Sequence, residues 1–293
     1  MGELLIEKAP AKINLTLRVL GRREDGLHEL ESLVVFADLA DTLEVEIGAR
    51  LGLKVSGPFA DASGPSAGNL VLKAAAALAG RIPKIKTGRF HLDKRIPAAA
   101  GLGGGSSDAA AALRLLARIN DIALDDPHLH AAASLTGADV PVCLDTRTRV
   151  MAGVGDVLYD PIKLTPLPAL LVNPRVAAPT REVFAAFEPA DRIRKYLLDP
   201  PDGFEPLVDF LGAYGNDLTR AAVACAPAIA DVLVALRALP GCRLARMSGS
   251  GATCFGLFET EGEAVTAGRK LSGMREEWWV CPAVLAPRQL RET

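Results

Sequence analysis

The chain has no excess of either charge sign: 33 Lys and Arg stand against 35 Asp and Glu, a formal net charge of -2. No overall field draws it towards nucleic acid or an anionic membrane, so any polyanion it binds must be held locally. No apolar run approaches the ~20 residues of a membrane-spanning helix. The opening residues, Met1 to Lys8, place acids where a secretory leader needs positive charge, and an unprocessed, soluble chain is expected. The five cysteines, Cys143, Cys225, Cys242, Cys254 and Cys281, are odd in number and lack the Cys-x-x-Cys pairs of zinc and redox sites, which fits a reducing cytoplasm. His91, His128 and His130 have no metal-ligand spacing, and no His/Glu zinc signature, fixed-period repeat or low-complexity tract is present.

What is there is the composition of a globular protein, 49% hydrophobic and 23% charged, which excludes disorder and fibrous structure. The length of 293 residues is about twice that of a typical domain of ~150, so two domains are expected. Residues 11–20 alternate, with Ile13, Leu15, Leu17 and Val19 on one face, and Gly21 to Gly26 reads as a turn before a second strand. Residues 42–47 and 51–55 repeat the strand pattern, 57–68 reads as a loop, and Leu70 to Ala79 as a helix. A strand from Gly88 to Leu92 leads into a glycine cluster and a helix from about Ser107 to Ile119. Further on, strands are predicted at 169–172, around 242–258 and at the WWVCPAVL segment, with helices near 181–187, 218–224, 228–238 and 261–272. This mixed order favours α+β layers over a doubly wound sheet. The domain boundary is placed near Gly153 to Gly155, dividing the chain into 1–152 and 153–293.

Three segments carry chemistry. In Pro97 to Ala110 four glycines, Gly101, Gly103, Gly104 and Gly105, stand within five residues at the opening of a helix. Glycines let backbone N–H groups approach an anion, and the helix start adds unpaired donors and the positive end of its dipole. A phosphate is the expected guest, although no Lys completes a Walker A loop and Ser106 stands where a dinucleotide motif needs its last glycine. The plainer alternative is a flexible turn with Ser106 or Ser107 as helix cap. The second segment, Met247 to Thr253, is a Gly/Ser loop between strand-like stretches; it suits either a polyphosphate cradle or a hairpin, and it does not match a nucleophile elbow. In the third, Gly137 to Pro141, Asp139 on spacing alone reads as a cap or turn former. Lys12 on its own reads as an exposed strand lysine, and His28 as a solvated imidazole.

The order of these segments resembles that of the GHMP small-molecule kinases nearly end to end. Ala9-Pro10-Ala11-Lys12-Ile13-Asn14-Leu15 is similar to the family's opening motif, Pro97 to Ala110 to its glycine-rich nucleotide loop, and Ser248 to Ala252 to its third motif. The resemblance implies an α+β fold of two domains, the N-terminal nucleotide-binding domain like the second domain of ribosomal protein S5 and the C-terminal one ferredoxin-like, with an active site in the cleft between them. It implies ATP as co-substrate, Mg2+ held mainly through phosphates and water, and an alcohol as acceptor. Lys12 and Asp139 are then the catalytic pair. The ATP-binding set is Asn69, Lys94, Pro97, Gly101, Leu102, Gly103, Gly104, Gly105, Ser106 and Ser107, with Ser106 or Ser107 reaching a phosphate oxygen or Mg2+.

Gly21 to Leu30 and Gly137 to Pro141 are similar to segments of the family members that act on a cytidine diphosphate ester of methylerythritol in isoprenoid precursor synthesis. On that resemblance Asn14 meets the erythritol hydroxyls, His28 reads the cytosine edge, Phe184 stacks on the base, and Thr180, Gly249, Ser250 and Gly251 close the substrate side. Leu27 stands where the family commonly has a Tyr, so one stacking ring is missing there. The partner is a small molecule, with no nucleic acid or membrane, and a monomer or weak homodimer is expected. The alternatives are a family member acting on mevalonate, phosphomevalonate, homoserine or a sugar, or a non-catalytic nucleotide binder on the same scaffold.

Overall fold

A computed structural model of the chain describes residues 4–63, 68–188 and 199–287. In chain order its elements are β1 (Leu4–Asn14), β2 (Arg18–Arg22), β3 (His28–Ile47), β4 (Gly52–Ser56), α1 (Leu70–Ala79), β5 (Gly88–Asp93), α2 (Gly104–Ile119), α3 (Pro127–Thr136) and α4 (Val140–Leu144). They continue as β6 (Arg149–Gly153), β7 (Val157–Leu158), β8 (Leu167–Asn173), α5 (Thr180–Ala185), α6 (Phe204–Ala213), α7 (Thr219–Cys225), α8 (Ala228–Arg237), β9 (Leu244–Met247), β10 (Cys254–Leu257), α9 (Glu261–Met274) and β11 (Trp279–Leu285). No helix among the described residues is long and apolar enough to cross a membrane.

The chain forms two compact units that interleave in sequence. Unit 1 gathers the described residues of Met1–Lys12, Leu39–Ala98 and Gly103–Thr146; unit 2 gathers those of Ile13–Asp38, Ala99–Leu102 and Arg147–Thr293. Residues 13–38 and 99–102, which a linear division at 152/153 assigns to the first domain, therefore belong to unit 2.

In unit 1 the later part of β3, Thr42 to Ile47, pairs antiparallel with β5, and β4 joins β5 in parallel. Leu43, Val45, Phe90 and Leu92 alternate into the core, as the period of a strand requires. Helix α1 buries Val71, Ala74, Ala75 and Leu78, the i, i+3, i+4, i+7 stripe of an amphipathic helix, and Asn69 caps it by accepting the Val71 N–H at 3.0 Å. Helix α2 is buried on nearly every side from Ser107 to Ala117 because it packs on both α1 and α4; its alanines let these helices approach closely. Each fully buried Leu or Phe in this core contributes roughly 1.5–3 kcal/mol of apolar transfer.

In unit 2 the first part of β3 pairs with β2 and with β6, and β6 pairs with β7. Strands β11, β8, β10 and β9 lie in that order and all pair antiparallel. With helices between β8 and β9 and α9 between β10 and β11, this is the β-α-β-β-α-β connectivity of a ferredoxin-like sheet. Leu170, Val172, Ile229, Val232, Leu236, Phe258 and Leu271 form its core. Helix α9 begins in a capping box: Thr260 accepts the Glu263 N–H while the Glu263 carboxylate accepts the Thr260 N–H.

Several expectations are corrected. The single strand read at 11–20 is two, because at Leu17 the backbone changes partner. Its N–H goes to the Gly215 carbonyl and its carbonyl receives the Asp217 N–H, so the alternation of buried Ile13, Leu15, Leu17 and Val19 survives while the ladder is interrupted. Residues 28–47 form one long strand rather than a short one and a separate 42–47 segment; Leu33 to Ala37 are all buried, and a strand covered on both faces shows no period of two. The loop at 57–68 contains the helical turn Asp61–Ser63, and its residues 64–67 lie outside the described residues. Strand β6 ends at Gly153, where the predicted domain boundary begins, and α6 is not among the predicted helices.

Candidate functional site

In unit 1, the ammonium of Lys12, at the end of β1, lies 2.9 Å from Asp139 Oδ2. Lys12 is buried at 4% exposure, which corrects the exposed-lysine reading, whereas the Asp139 side chain is 38% exposed. Asp139 stands at the N-cap position of α4, yet its side chain makes no capping hydrogen bond. The carboxylate is therefore spent on Lys12 and on whatever approaches from solvent, not on the helix. Sequence reasoning missed Arg114, which ties the elements carrying this pair together. From α2 its guanidinium donates to the Glu7 carboxylate (2.9 Å) and the Lys8 carbonyl (2.7 Å) on β1, and to the Cys143 carbonyl (2.6 Å) of α4. Only its place on an otherwise apolar helix face could have signalled it. Burial pushes the neighbouring Cys143 thiol up to about 12, which keeps it protonated and inert.

The glycine-rich segment has positive φ at alternate residues, Ala99, Gly101 and Gly103. Alternation of φ sign turns successive N–H groups to one side, the arrangement of an anion-binding nest. At Gly103, the N-cap of α2, φ is 61°, and a Cβ would lie 3.0 Å from that of Lys12, so only glycine lets the loop lie on the lysine stem. Helix α2 starts three residues earlier than expected, which places Gly105, Ser106 and Ser107 in its first turn. Gly105 is exposed and Ser106 half-exposed, but the Ser107 hydroxyl is turned inward and donates to the Pro10 carbonyl at 2.7 Å. Of the two serines, Ser106 is the one left to meet a ligand. Pro97 and Leu102 are buried, so they act through backbone and packing.

Lys94 is not an open edge residue. It is buried, and its ammonium is bonded to Asp41 Oδ2 and to Asp108 Oδ2, the latter at 2.8 Å. Burial opposes its charge, but the two carboxylates outweigh burial and hold its pKa above the ordinary lysine value. Burial, with Asp41 adding to it and Lys94 opposing, pushes the Asp108 carboxyl up to about 8. Asn69 has its side-chain oxygen engaged by the α1 cap.

In unit 2, Ser248 is a stitch rather than a ligand: its hydroxyl accepts the Asn14 N–H at 3.1 Å and donates to the Gly101 carbonyl at 2.9 Å. A Cβ at Gly101 would lie 2.5 Å from the Ser248 carbonyl oxygen, which is why that position is glycine. The Met247 to Thr253 segment joins β9 to β10, so the hairpin reading is correct, and the Asn216 side-chain amide donates to the Met247 and Gly249 carbonyls at 2.8 Å each. The Gly251 N–H closes the turn on the Ser248 carbonyl at 3.0 Å. Ser250 pairs with Thr180 at 2.9 Å, which brings two of the expected substrate residues together. Asn14 is buried and gives its amide N–H to Ser32 at 2.6 Å.

His28 stacks on Phe184 with ring centroids 5.0 Å apart and meets Phe187 edge-on at 6.1 Å. Phe187 was not singled out in the sequence; it supplies a second ring beside His28, while Leu27 is 53% exposed. Burial, with Arg22 second, lowers the His28 pKa, so the ring is neutral at neutral pH and presents one donor and one acceptor.

Comparison with known proteins gives this geometry a family. The profile of the GHMP kinases N terminal domain matches residues 69–146, and that of the GHMP kinases C terminal domain residues 201–275. The chain is 52% identical to the 4-diphosphocytidyl-2-C-methyl-D-erythritol kinase of Xanthobacter autotrophicus, over 97% of this chain and 99% of that one. It is also 52% identical to the protein of that name from Methylobacterium radiotolerans, over 96% and 99%. A crystal structure of 4-(cytidine 5'-diphospho)-2C-methyl-D-erythritol kinase superposes with a TM-score of 0.77 at 37% identity, covering 96% of this chain and 99% of that one. Homoserine kinase from Cytophaga hutchinsonii shares the fold, with a TM-score of 0.70 at 18% identity over 97% and 95%. The chain belongs to the GHMP kinase family.

Proposed function

We propose that the chain transfers the γ-phosphoryl group of ATP to the 2-hydroxyl of 4-diphosphocytidyl-2-C-methyl-D-erythritol, giving the 2-phosphate and ADP, a step of isoprenoid precursor synthesis in the cytoplasm. Full-length relatives at about half identity carry that substrate in their names. The observation that carries the chemistry is the 2.9 Å pair of a buried Lys12 and a solvent-accessible Asp139.

Phosphoryl transfer asks mainly for positioning and charge stabilisation. Asp139 takes the proton of the acceptor hydroxyl as its oxygen attacks the γ-phosphorus, and the bond to the β-phosphate oxygen breaks so that ADP leaves with the electron pair. Lys12 holds the carboxylate in place and offsets the negative charge that develops on the attacking oxygen. The amides of Gly103 to Ser106 and the start of α2 receive phosphate oxygens, with Gly101, Leu102 and Pro97 shaping the loop. Asn69 serves the nucleobase side, whereas Lys94, its ammonium taken up by Asp41 and Asp108, acts from beneath the loop. Asn14, Thr180, Gly249, Ser250 and Gly251 serve the acceptor. His28, neutral and flanked by Phe184 and Phe187, reads and covers the cytosine, the second ring standing in for the one lost at Leu27.

Among the described residues no group of three His, Cys, Asp or Glu side chains could hold a metal ion. Mg2+ would be carried by phosphate oxygens and water, with the hydroxyl of the half-exposed Ser106 able to meet it, and would neutralise phosphate charge when bound. The test is a substrate panel with ATP: phosphorylation of the cytidine diphosphate ester alone is expected, and equal turnover of mevalonate or homoserine would overturn the assignment.

A further inference from the structure

Beneath the glycine-rich segment of unit 1 lies a cluster that the reaction itself does not use. Asp41, on β3, is wholly buried, and its Oδ1 accepts the backbone N–H groups of Arg95 (2.5 Å) and Ile96 (2.8 Å), the two residues that lead into the segment. Its other oxygen receives the Lys94 ammonium. The same ammonium donates at 2.8 Å to Asp108, in the first turns of the helix that leaves the segment. Both ends of the segment are therefore fastened to one cation. The fit is tight: a Cβ at Gly104 would stand 3.2 Å from Lys94 Nζ and 3.2 Å from the Ile96 side chain.

The arrangement is not what stability alone would select. Two carboxyl groups share one ammonium, and among the described residues Asp108 Oδ1 is buried without a hydrogen-bond partner. An apolar cluster of equal volume is commonly as stable as a buried ion cluster or more so, and what ions add is a fixed geometry. Here the geometry they fix is the separation of residue 96 from the α2 N-terminus, where the phosphate-binding amides begin.

We propose that Asp41 and Asp108 are positioning residues for the nucleotide, forming through Lys94 a two-point staple that sets the aim of the amides at Gly103 to Ser106. The staple touches neither phosphate nor acceptor; it acts by holding the loop ready. This rests on the reading of that segment as the ATP phosphate site.

The experiment compares Asp41→Asn, Asp108→Ala and Asp108→Asn in the full chain. Kd for ATP is read by titration calorimetry, KM for ATP and for the acceptor by steady-state kinetics, and folding by thermal melting. Asp41→Asn and Asp108→Ala should each weaken ATP about 10-fold or more while the acceptor KM stays within about twofold. Asp108→Asn keeps an oxygen for Lys94 and should recover most of the loss, which a merely destabilised fold would not do. Either of the first two variants decides if the other fails to fold. Folded Asp41→Asn or Asp108→Ala with wild-type ATP affinity would overturn the staple. Gly105→Val separates the two readings, since Gly105 is exposed and a Cβ there meets nothing closer than 3.5 Å. If it blocks ATP while the Asp variants do not, the staple alone fails; if it leaves ATP binding intact, the phosphate-site reading fails with it.

Discussion

Asp139 meets the Lys12 ammonium at 2.9 Å from a helix N-terminus that its own side chain does not cap. A carboxylate free of structural duty, steadied by a buried cation and open to solvent, is placed to take a proton. Asp139→Asn should lower turnover about 100-fold or more and leave ATP affinity within about twofold. Lys12→Met should show a comparable loss of kcat. Steady-state rates beside nucleotide titration decide, and near wild-type turnover in Asp139→Asn would remove it from the role of base.

His28 stacks on Phe184 and meets Phe187 edge-on, and on the proposed function these rings meet the cytidine substrate and not ATP. His28→Ala and Phe187→Ala should both raise KM for the cytidine substrate, with KM for ATP unchanged. Stacking on an aromatic is worth roughly 1–3 kcal/mol per base, so the Phe187 change should amount to about 10-fold. An ATP effect as large as the cytidine effect would contradict the cytosine-reading role of His28.

Local signals carried much of this. The alternating Ile13 to Val19, the stripe of α1 and the glycines before α2 are each set by neighbours in the chain, so they could be read without a fold. The pairing of Lys12 with Asp139 could not: on spacing alone Asp139 looked like a cap and Lys12 like a surface lysine, and only the family's motif order joined them. Arg114, Asp41 and Asp108 stayed hidden for a related reason. A buried polar side chain is identified by partners distant in sequence, and nothing in its own segment announces them. Strand β3 was cut short because burial on both faces erases the alternation by which strands are found.

Arg114 bridges β1 and α4, the two elements that bring Lys12 and Asp139 together. Arg114→Met keeps the stem but leaves the Lys8 and Cys143 carbonyls without their donor and removes one of the two arginines on Glu7. A loss of about 3 kcal/mol in urea unfolding is expected, with a fall in kcat larger than any change in KM for ATP. Unchanged kcat in a folded variant would show that the Lys12–Asp139 pair holds its geometry without this bridge.

Thiol chemistry checks the packing of both units. Burial pushes Cys143 and Cys254 up to about 12, and Cys242 and Cys281 up to about 11, whereas Cys225 is exposed on α7. A disulfide reagent near neutral pH should titrate Cys225 quickly in the native protein, the half-buried Cys242 and Cys281 more slowly, and Cys143 and Cys254 only on unfolding. Cys225→Ser should abolish the fast phase; native reaction of Cys143 or Cys254 would mean that a buried site opens.

Asp108 gives the fold a pH dependence of definite sign. Its carboxyl is pushed up to about 8 from an ordinary 3.8 by burial, with Lys94 opposing and Asp41 adding. Below the ordinary value both folded and unfolded chains hold the proton, and the contribution of the buried neutral acid is fully present. As pH rises the unfolded chain releases a proton that the folded chain keeps, so stability drains away until the folded carboxyl itself ionises near pH 8. Lys94 stays charged throughout, because its carboxylate partners hold its pKa above the ordinary lysine value. Asp108→Asn cannot titrate there. Its unfolding free energy relative to wild type should therefore climb between about pH 4 and about pH 8 and level off above that, measured in urea at a series of pH values. A difference that stays flat across the window would mean that Asp108 is already ionised in the folded protein, and that the cluster carries a net negative charge beneath the glycine-rich segment.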